Sequence, residues 1–335
     1  MSGAPRAHRH GDRPPVLGIE GLSIEFAMRR GAARVVDGVT LEVWPGEIVG
    51  LIGESGSGKT MTALSVLGLL PRTAKITAGD IRLSGTSLLG LPEAQLRAIR
   101  GRDIAMIPQN PMSALNPVLR VGAQVGEPYV LHRRADWKTA LAQAVRRLTD
   151  VHLPLPDERA SEYPHQFSGG MQQRAMTAMA IALEPQLLVA DEPTTALDVT
   201  IQAQILRLLR EIREEHRTSI LFITHDLGVV AETCDWVYVM YAGRILEQGS
   251  VERIFAHPGH PYTQALLRAT PAAEPAQAEL VSIPGTIPSP LDLPRGCRFL
   301  DRCPYRFEHC NEEPPPLAVE TDHTARCWLL EAVNG

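Results

Sequence analysis

Three short stretches of the chain hold the residue types that phosphate chemistry needs. "GESGSGKT" (Gly53–Thr60) fits G-x-x-x-x-G-K-[ST]. Gly53, Gly56 and Gly58, with Ser55 and Ser57 between them, let backbone N–H groups turn inward around phosphate oxygens. Lys59 brings a point charge to the β- and γ-phosphates, and Thr60 offers a hydroxyl to Mg²⁺. In "LLVADEP", Asp191 ends an apolar run where an unpaired carboxylate would be costly, so Mg²⁺ is its natural partner. Glu192 follows at the mouth of such a site, placed to polarise water for attack on a γ-phosphate. In "QFSGGMQQR", Ser168, Gly169 and Gly170 open a helix and form a second anion-ready N-terminus. The first loop already fills the phosphate role, so the second points to a nucleotide held by another subunit.

The elements that must position these residues are legible from periodicity. "EIVGLIG" (Glu47–Gly53), "LLVAD" (Leu187–Asp191) and "SILFITHD" (Ser219–Asp226) are short apolar runs that read as strands covered on both faces. Val199–His216 has Ile201, Ile205, Leu208, Leu209 and Ile212 at helical spacing. Strand, helix, strand predicts a parallel α/β core. "DWVYVMYAGRILEQG" predicts a hairpin turned at Ala242–Gly243. Residues 112–165 read as helical and polar, with "DWKTALAQAVRRLTDV" the clearest helix. Beyond residue 255, prolines mark a tail expected to hold little regular structure.

Composition bounds the function. The chain has 335 residues, 44% apolar and 21% charged, with a formal net charge of −5. That balance argues against nucleic acid as a partner, since phosphate-backbone binding wants a basic surface. No stretch approaches the ~20 apolar residues of a membrane-spanning helix. Residues 1–15 carry positive charge without an apolar segment and read as a disordered leader rather than a secretory signal. A cytosolic setting follows, in which disulfides are disfavoured.

With Gln109 in "MIPQNP", "FSGGM", "ALD" (Ala196–Asp198) and His225 in "ITHD" in order, the sequence closely resembles the ATP-binding subunits of ABC transporters from about Leu17 to its end. The resemblance implies a P-loop ABC ATPase core over residues 16–255, with a helical subdomain at about 112–180, and a small irregular cysteine-containing region over 256–335. It implies ATP and Mg²⁺ as cofactors and two ATP-binding domains closing head-to-tail, the loop of one facing Ser168–Gly170 of the other. Gln109 would sense Mg²⁺ and the γ-phosphate, His225 would contact the γ-phosphate, and Asp198 would communicate across the dimer. Phe26 matches the aromatic that stacks on adenine; a plain core phenylalanine is the alternative. Phe167 and Met171 stand where leucine and glutamine are commonest, without removing a phosphate ligand, so active hydrolysis is expected.

"HPYTQALLRATP" (His260–Pro271), "NPMSALNP" and "MYAGRILEQG" resemble the branch that imports di- and oligopeptides, and that also includes nickel and glutathione importers. As local chemistry the first of these reads as a packing element. The branch implies a second, related ATP-binding subunit, two transmembrane permease subunits, an extracytoplasmic solute-binding protein, and a peripheral place on the cytoplasmic face of the cell membrane. A non-transport ABC ATPase and a redox protein with an incidental ATP site are the rivals from other classes.

Four of the five cysteines fall at one end, as C-x5-C-x6-C-x16-C: Cys297, Cys303, Cys310 and Cys327. Structural zinc sites favour tighter knuckles, and the wide spacing leaves room for a [4Fe–4S] cluster, which some relatives in the branch carry. Zinc and unliganded thiols are the alternatives. Arg295, Arg298, Arg302 and Arg306 are expected to offset a cluster's negative charge. A structural staple for the tail is favoured over electron transfer.

Overall fold

The computed structural model describes residues 14–28, 31–110, 114–195, 198–269 and 283–334. Outside them lie most of the expected leader, Pro111–Ser113 of "NPMSALNP", Ala196 and Leu197 of "ALD", and the last two residues of "HPYTQALLRATP". The chain divides into two compact units, one formed by residues up to Leu89 together with those from Thr224 onward, the other by Gly90–Ile223.

The first unit begins with an antiparallel sheet. β1 (Leu17–Met28) lies between β2 (Gly31–Val43) and β4 (Ala74–Leu83), and β5 (Thr86–Ser87) follows β4 at the edge. Between β2 and β4 come β3 (Ile48–Ile52) and helix α1 (Lys59–Val66), joined by the glycine loop. All five residues of β3 are buried, as a strand covered on both faces requires.

The second unit holds α2 (Glu93–Ile99), β6 (Ile104–Ile107), α3 (Val121–Arg133), α4 (Trp137–Asp150), the short α5 (Pro156–Arg159), α6 (Gly169–Ala180), β7 (Leu187–Asp191), α7 (Val199–His216) and all but the last residue of β8 (Ser219–Thr224). β6, β7 and β8 are parallel, and β7 and β8 are buried along their whole length. α4 starts where Asp136 accepts the Thr139 N–H, and α7 starts where Asp198 accepts the Ile201 N–H at 2.9 Å. α3, α4 and α6 pack together, with Ala140 and Tyr129 in their core.

The chain then returns to the first unit with α8 (Leu227–Thr233), β9 (Trp236–Tyr241), β10 (Arg244–Ser250), α9 (Val251–Ala256) and α10 (Pro261–Arg268). β9 pairs parallel with β3 and antiparallel with β10, through a turn at Ala242 and Gly243 in which both residues have positive φ. The tail departs from expectation here. β11 (Leu317–Glu320) and β12 (His323–Ala325) form a hairpin, β12 pairs with β10, and a last helix α11 (Leu329–Asn334) follows. Residues 317–325 thus extend the sheet of the phosphate-loop unit. Buried His323 bonds Glu247 of β10 at 2.7 Å, and Glu247 also accepts the N–H groups of Gly259 and His260.

Candidate functional site

In the first unit, β3 delivers Gly53 and α1 begins at Lys59, so the loop is pinned at both ends. Gly53 has φ 150° and a Cβ there would stand 2.1 Å from the Met240 carbonyl oxygen; Gly58 has φ 108° and a Cβ would meet the Val35 oxygen at 2.7 Å. Only glycine fits these two positions. The buried Lys59 ammonium donates to the carbonyls of Gly53 at 2.6 Å and Glu54 at 2.9 Å, and to Ser57 Oγ at 3.4 Å. It therefore lies across the inside of the loop. Ser55, Gly56 and Thr60 are exposed, and Ser57 is buried. Gly243 N–H donates to the Ser57 carbonyl, which fastens the loop to the β9–β10 turn.

His225 is exposed at the end of β8. Its neighbour Asp226 caps α8, accepting the N–H groups of Gly228 and Val229. Phe26 is half-buried near the end of β1, in register with Ala33 and Ala74.

In the second unit, β7 carries Asp191 into the interior at 2% exposure, and Glu192 follows with φ 47°. A non-glycine residue in that region is strained, and such strain gathers at functional sites. The Glu192 N–H donates to the Ile223 carbonyl, which holds the turn. Glu192 Oε2 accepts from Gln109 Nε2 at 2.8 Å and from Thr195 Oγ1 at 2.9 Å. The two donors hold the carboxylate in one orientation. Gln109 and Glu192, expected at one site, are in direct contact; Thr195 escaped the sequence reading, because a threonine three residues after a glutamate has no distinguishing pattern.

Ser168 caps α6, its Oγ accepting the Met171 N–H at 3.3 Å. Ser168 and Gly169 are exposed, and a Cβ on Gly169 would meet nothing within 4 Å. The helix end is open to an approaching anion. Phe167 is buried, so its departure from leucine is a matter of packing.

The four clustered cysteines converge. Cys297, Cys303, Cys310 and Cys327 line one small, mostly apolar cavity with His260, Leu300 and Trp328, and none forms a disulfide. Burial, together with the neighbouring thiols, pushes the Cys297 thiol up to about 12 and that of Cys327 to about 11. Thiolates gathered there need a cation. Cys234 is elsewhere, at the end of α8 beside Gly50. Among the described residues, no group of three or more His, Cys, Asp or Glu side chains is arranged to hold a metal ion.

The arginines correct one expectation. Arg298 pairs with Asp37, and Arg302 with Glu54 of the glycine loop at 2.7 Å. These two charges neutralise carboxylates of the core. Arg306 remains beside the cysteines, where its charge opposes the upward push of burial on the Cys303 thiol.

Known proteins resemble this chain along nearly its whole length. The family described as ABC transporter matches residues 36–195, and the one described as oligopeptide/dipeptide transporter, C-terminal region, matches residues 246–310. The chain is 49% identical to a probable peptide ABC transporter ATP-binding protein of Sinorhizobium fredii, over 95% of this chain and 96% of that one. It is 47% identical to the dipeptide transport ATP-binding protein DppD of Bacillus subtilis, over 94% and 95%. It is 45% identical to the oligopeptide transport ATP-binding protein OppD of Salmonella typhimurium, over 93% of each. Among solved structures, the dimeric post-hydrolysis state of the ATP-binding cassette MJ0796 bound to ADP and Pi is similar at a TM-score of 0.64 and 26% identity, over 70% of this chain and 98% of that one.

Proposed function

Because this chain belongs to the ABC transporter family and carries the C-terminal region of its oligopeptide/dipeptide branch, we propose that it is the ATP-hydrolysing subunit of a peptide importer. The observation that carries the reading is the carboxylate of Glu192, fixed by two donors on a strained turn directly after Asp191. The Gly53–Thr60 loop takes the phosphates of ATP, Thr60 and Asp191 serve Mg²⁺ with Gln109, and Glu192 orients the attacking water. His225 contacts the γ-phosphate, and Phe26 stacks on the base.

Ser168 and Gly169, open at the start of α6, with Gly170 beside them, act on ATP held by a second, related ATP-binding subunit, and Asp198 faces that subunit. The similar MJ0796 cassette is dimeric, which supports the presence of a second ATP-binding domain. Closure driven by ATP shifts the population of two permease subunits between states, and a solute-binding protein outside the membrane delivers the peptide. Among the described residues no helix is long and apolar enough to cross a membrane, which suits a peripheral subunit on the cytoplasmic face.

The convergence of the four thiols on one cavity supports a [4Fe–4S] cluster as its occupant. Such a cluster brings its own iron and sulfide, so it asks for sulfurs spread around a cavity, whereas zinc asks for four sulfurs about 2.3 Å from one point. Cys297, Cys303, Cys310 and Cys327 would hold it, and it would serve as a staple for the proline-rich segment.

Purified complexes reconstituted in vesicles test the transport reading. Uptake of short peptides that requires ATP and stops with Glu192→Gln is the expected result. Co-purification with ribosomes or nucleic acid in place of membrane proteins would sink it, and uptake of nickel or glutathione alone would move the substrate within the branch.

A further inference from the structure

Glu54, the second residue of the phosphate loop, is gripped twice from the C-terminal region. Its backbone N–H donates to Tyr262 Oη at 2.9 Å. Its carboxylate accepts two parallel bonds from Arg302, one guanidinium nitrogen on Oε2 at 2.7 Å and the other on Oε1 at 3.0 Å. The Arg302 side chain is only 6% exposed. Its remaining N–H groups reach the Pro284 carbonyl at 2.8 Å, Tyr241 Oη at 3.2 Å and the Ile283 carbonyl at 3.2 Å. All five donors of the planar fork are thus engaged, which leaves the side chain one orientation.

Both grips are set in rigid surroundings. Tyr262 is fully buried. The rings of Tyr241, Tyr262 and Phe299 lie 4.6 to 5.4 Å apart, centroid to centroid. Phe299 and Arg302 belong to the turn between Cys297 and Cys303. His260 accepts the Tyr262 N–H at 3.0 Å on Nδ1 and sets Nε2 3.9 Å from Cys297 Sγ. The stretch His260–Pro261–Tyr262 therefore stands between the cysteines and the phosphate loop, with His260 facing one and Tyr262 the other. Within the loop, Lys59 donates to the carbonyls of Gly53 and Glu54, so a displaced Glu54 carries the lysine with it.

We infer that Arg302 and Tyr262 are positioning residues for nucleotide binding: by fixing the carboxylate and the N–H of Glu54 they preorganise the loop for phosphate, and they pass changes in the cysteine-bearing turn to ATP affinity. The inference rests on the reading of the loop as the ATP site.

Titration of Mg-ATP into the purified full-length chain tests it, with thermal unfolding measured in parallel without nucleotide. Tyr262→Phe keeps the ring and removes one acceptor. Arg302→Ala removes the fork, and Arg302→Lys keeps the charge without the bidentate grip. Tyr262→Phe and Arg302→Ala are each expected to weaken binding about tenfold, with Arg302→Lys in between. Glu54→Ala with Arg302→Ala is expected to bind no worse than either alone, since both remove one interaction. Cys303→Ser is expected to weaken binding in the wild-type background and to add nothing to Arg302→Ala.

Wild-type affinity in both Tyr262→Phe and Arg302→Ala overturns the inference while the ATP reading stands. Should Arg302→Ala fail to fold, Tyr262→Phe decides alone. Unchanged affinity in Cys303→Ser overturns the link to the cysteine turn. A wild-type chain that takes up no Mg-ATP overturns the ATP reading itself, a result distinguishable from the others.

Discussion

Gln109 donates through Nε2 to Oε2 of Glu192 across 2.8 Å, joining side chains 83 positions apart. A carboxylate that polarises water works best when it is held in place and does not have to be reorganised during the reaction. The bonds from Gln109 and Thr195 fall on the same oxygen, Oε2, and so hold the other at a fixed angle.

Glu192→Gln preserves this shape and removes the charge. Turnover of ATP is expected to fall by about two to four powers of ten, the usual worth of a positioned general base, while Mg-ATP binding stays close to wild type. Separate measurements of nucleotide affinity and steady-state hydrolysis check it. Hydrolysis at the normal rate would remove Glu192 from its assigned role. Lys59→Ala makes the contrast, with loss expected in binding itself.

Thr195→Ala is expected to lower turnover by about ten- to a hundredfold by removing one hydrogen bond to the charged carboxylate, worth roughly 1.5–3 kcal/mol, with nucleotide affinity unchanged. Thr195→Ser restores the hydroxyl and is expected to restore the rate. A rate that falls equally in both variants would mean that packing, and not the bond to Glu192, is what matters.

Local patterns made the core readable. A buried strand such as Leu187–Asp191 and an amphipathic helix such as Val199–His216 carry their period in contiguous residues, and the structure reproduces both spans. The β11–β12 hairpin has strands of four and three residues, too short for a period to register, and three prolines precede it. The bond between Glu54 and Arg302 spans 248 positions, and only the fold brings such a pair together. The arginines near the cysteines looked like counter-charges because sequence proximity is all that a sequence offers. The reason for the His260–Tyr262 stretch was hidden for the same cause, since one end serves Cys297 and the other Glu54.

The proposed head-to-tail pairing gives Ser168 a measurable signature. In a complex with the partner ATP-binding subunit, Ser168→Arg together with a disabled phosphate-loop lysine in the partner is expected to destroy one composite site and spare the other. Ser168→Arg together with Lys59→Ala is expected to destroy both. Equal residual ATPase rates for the two combinations would contradict the pairing.

Asp37 holds the C-terminal region to β2 electrostatically. It is 7% exposed and accepts from Arg34, Arg244 and Arg298. Burial pushes its carboxyl up, but Arg244, Arg298 and Arg34 together hold it below the usual carboxylate value. A depressed carboxyl stabilises the fold above its unfolded value of about 3.9 and loses that contribution as pH falls through the lower folded value. Asp37→Asn is expected to cost about 3 kcal/mol at neutral pH, because it leaves Arg298 charged and uncompensated. The difference from wild type is expected to shrink below about pH 4. Chemical denaturation at several pH values checks both, and a pH-independent difference would argue against the ion-pair account.

The cysteine cavity yields the last test. Protein purified without oxygen is expected to be brown and to absorb broadly near ~400 nm, as thiolate-bound iron–sulfur clusters do. Replacing Cys297, Cys303, Cys310 or Cys327 by Ser is expected to bleach it. Cys234→Ser is expected to leave the colour, because Cys234 packs beside Gly50 and does not line the cavity. Loss of the cluster is expected to loosen the turn from Cys297 to Cys303 and the segment after it. That turn carries Arg298 and Arg302, so the harm should spread to two ion pairs with the core. The bonds from Gln109 and Thr195 to Glu192 include no cysteine. Turnover at saturating ATP should therefore survive cluster loss better than nucleotide affinity does. Colourless anaerobic protein with one zinc would assign the site to zinc, and protein with neither metal would leave four packed thiols whose burial alone stabilises the turn.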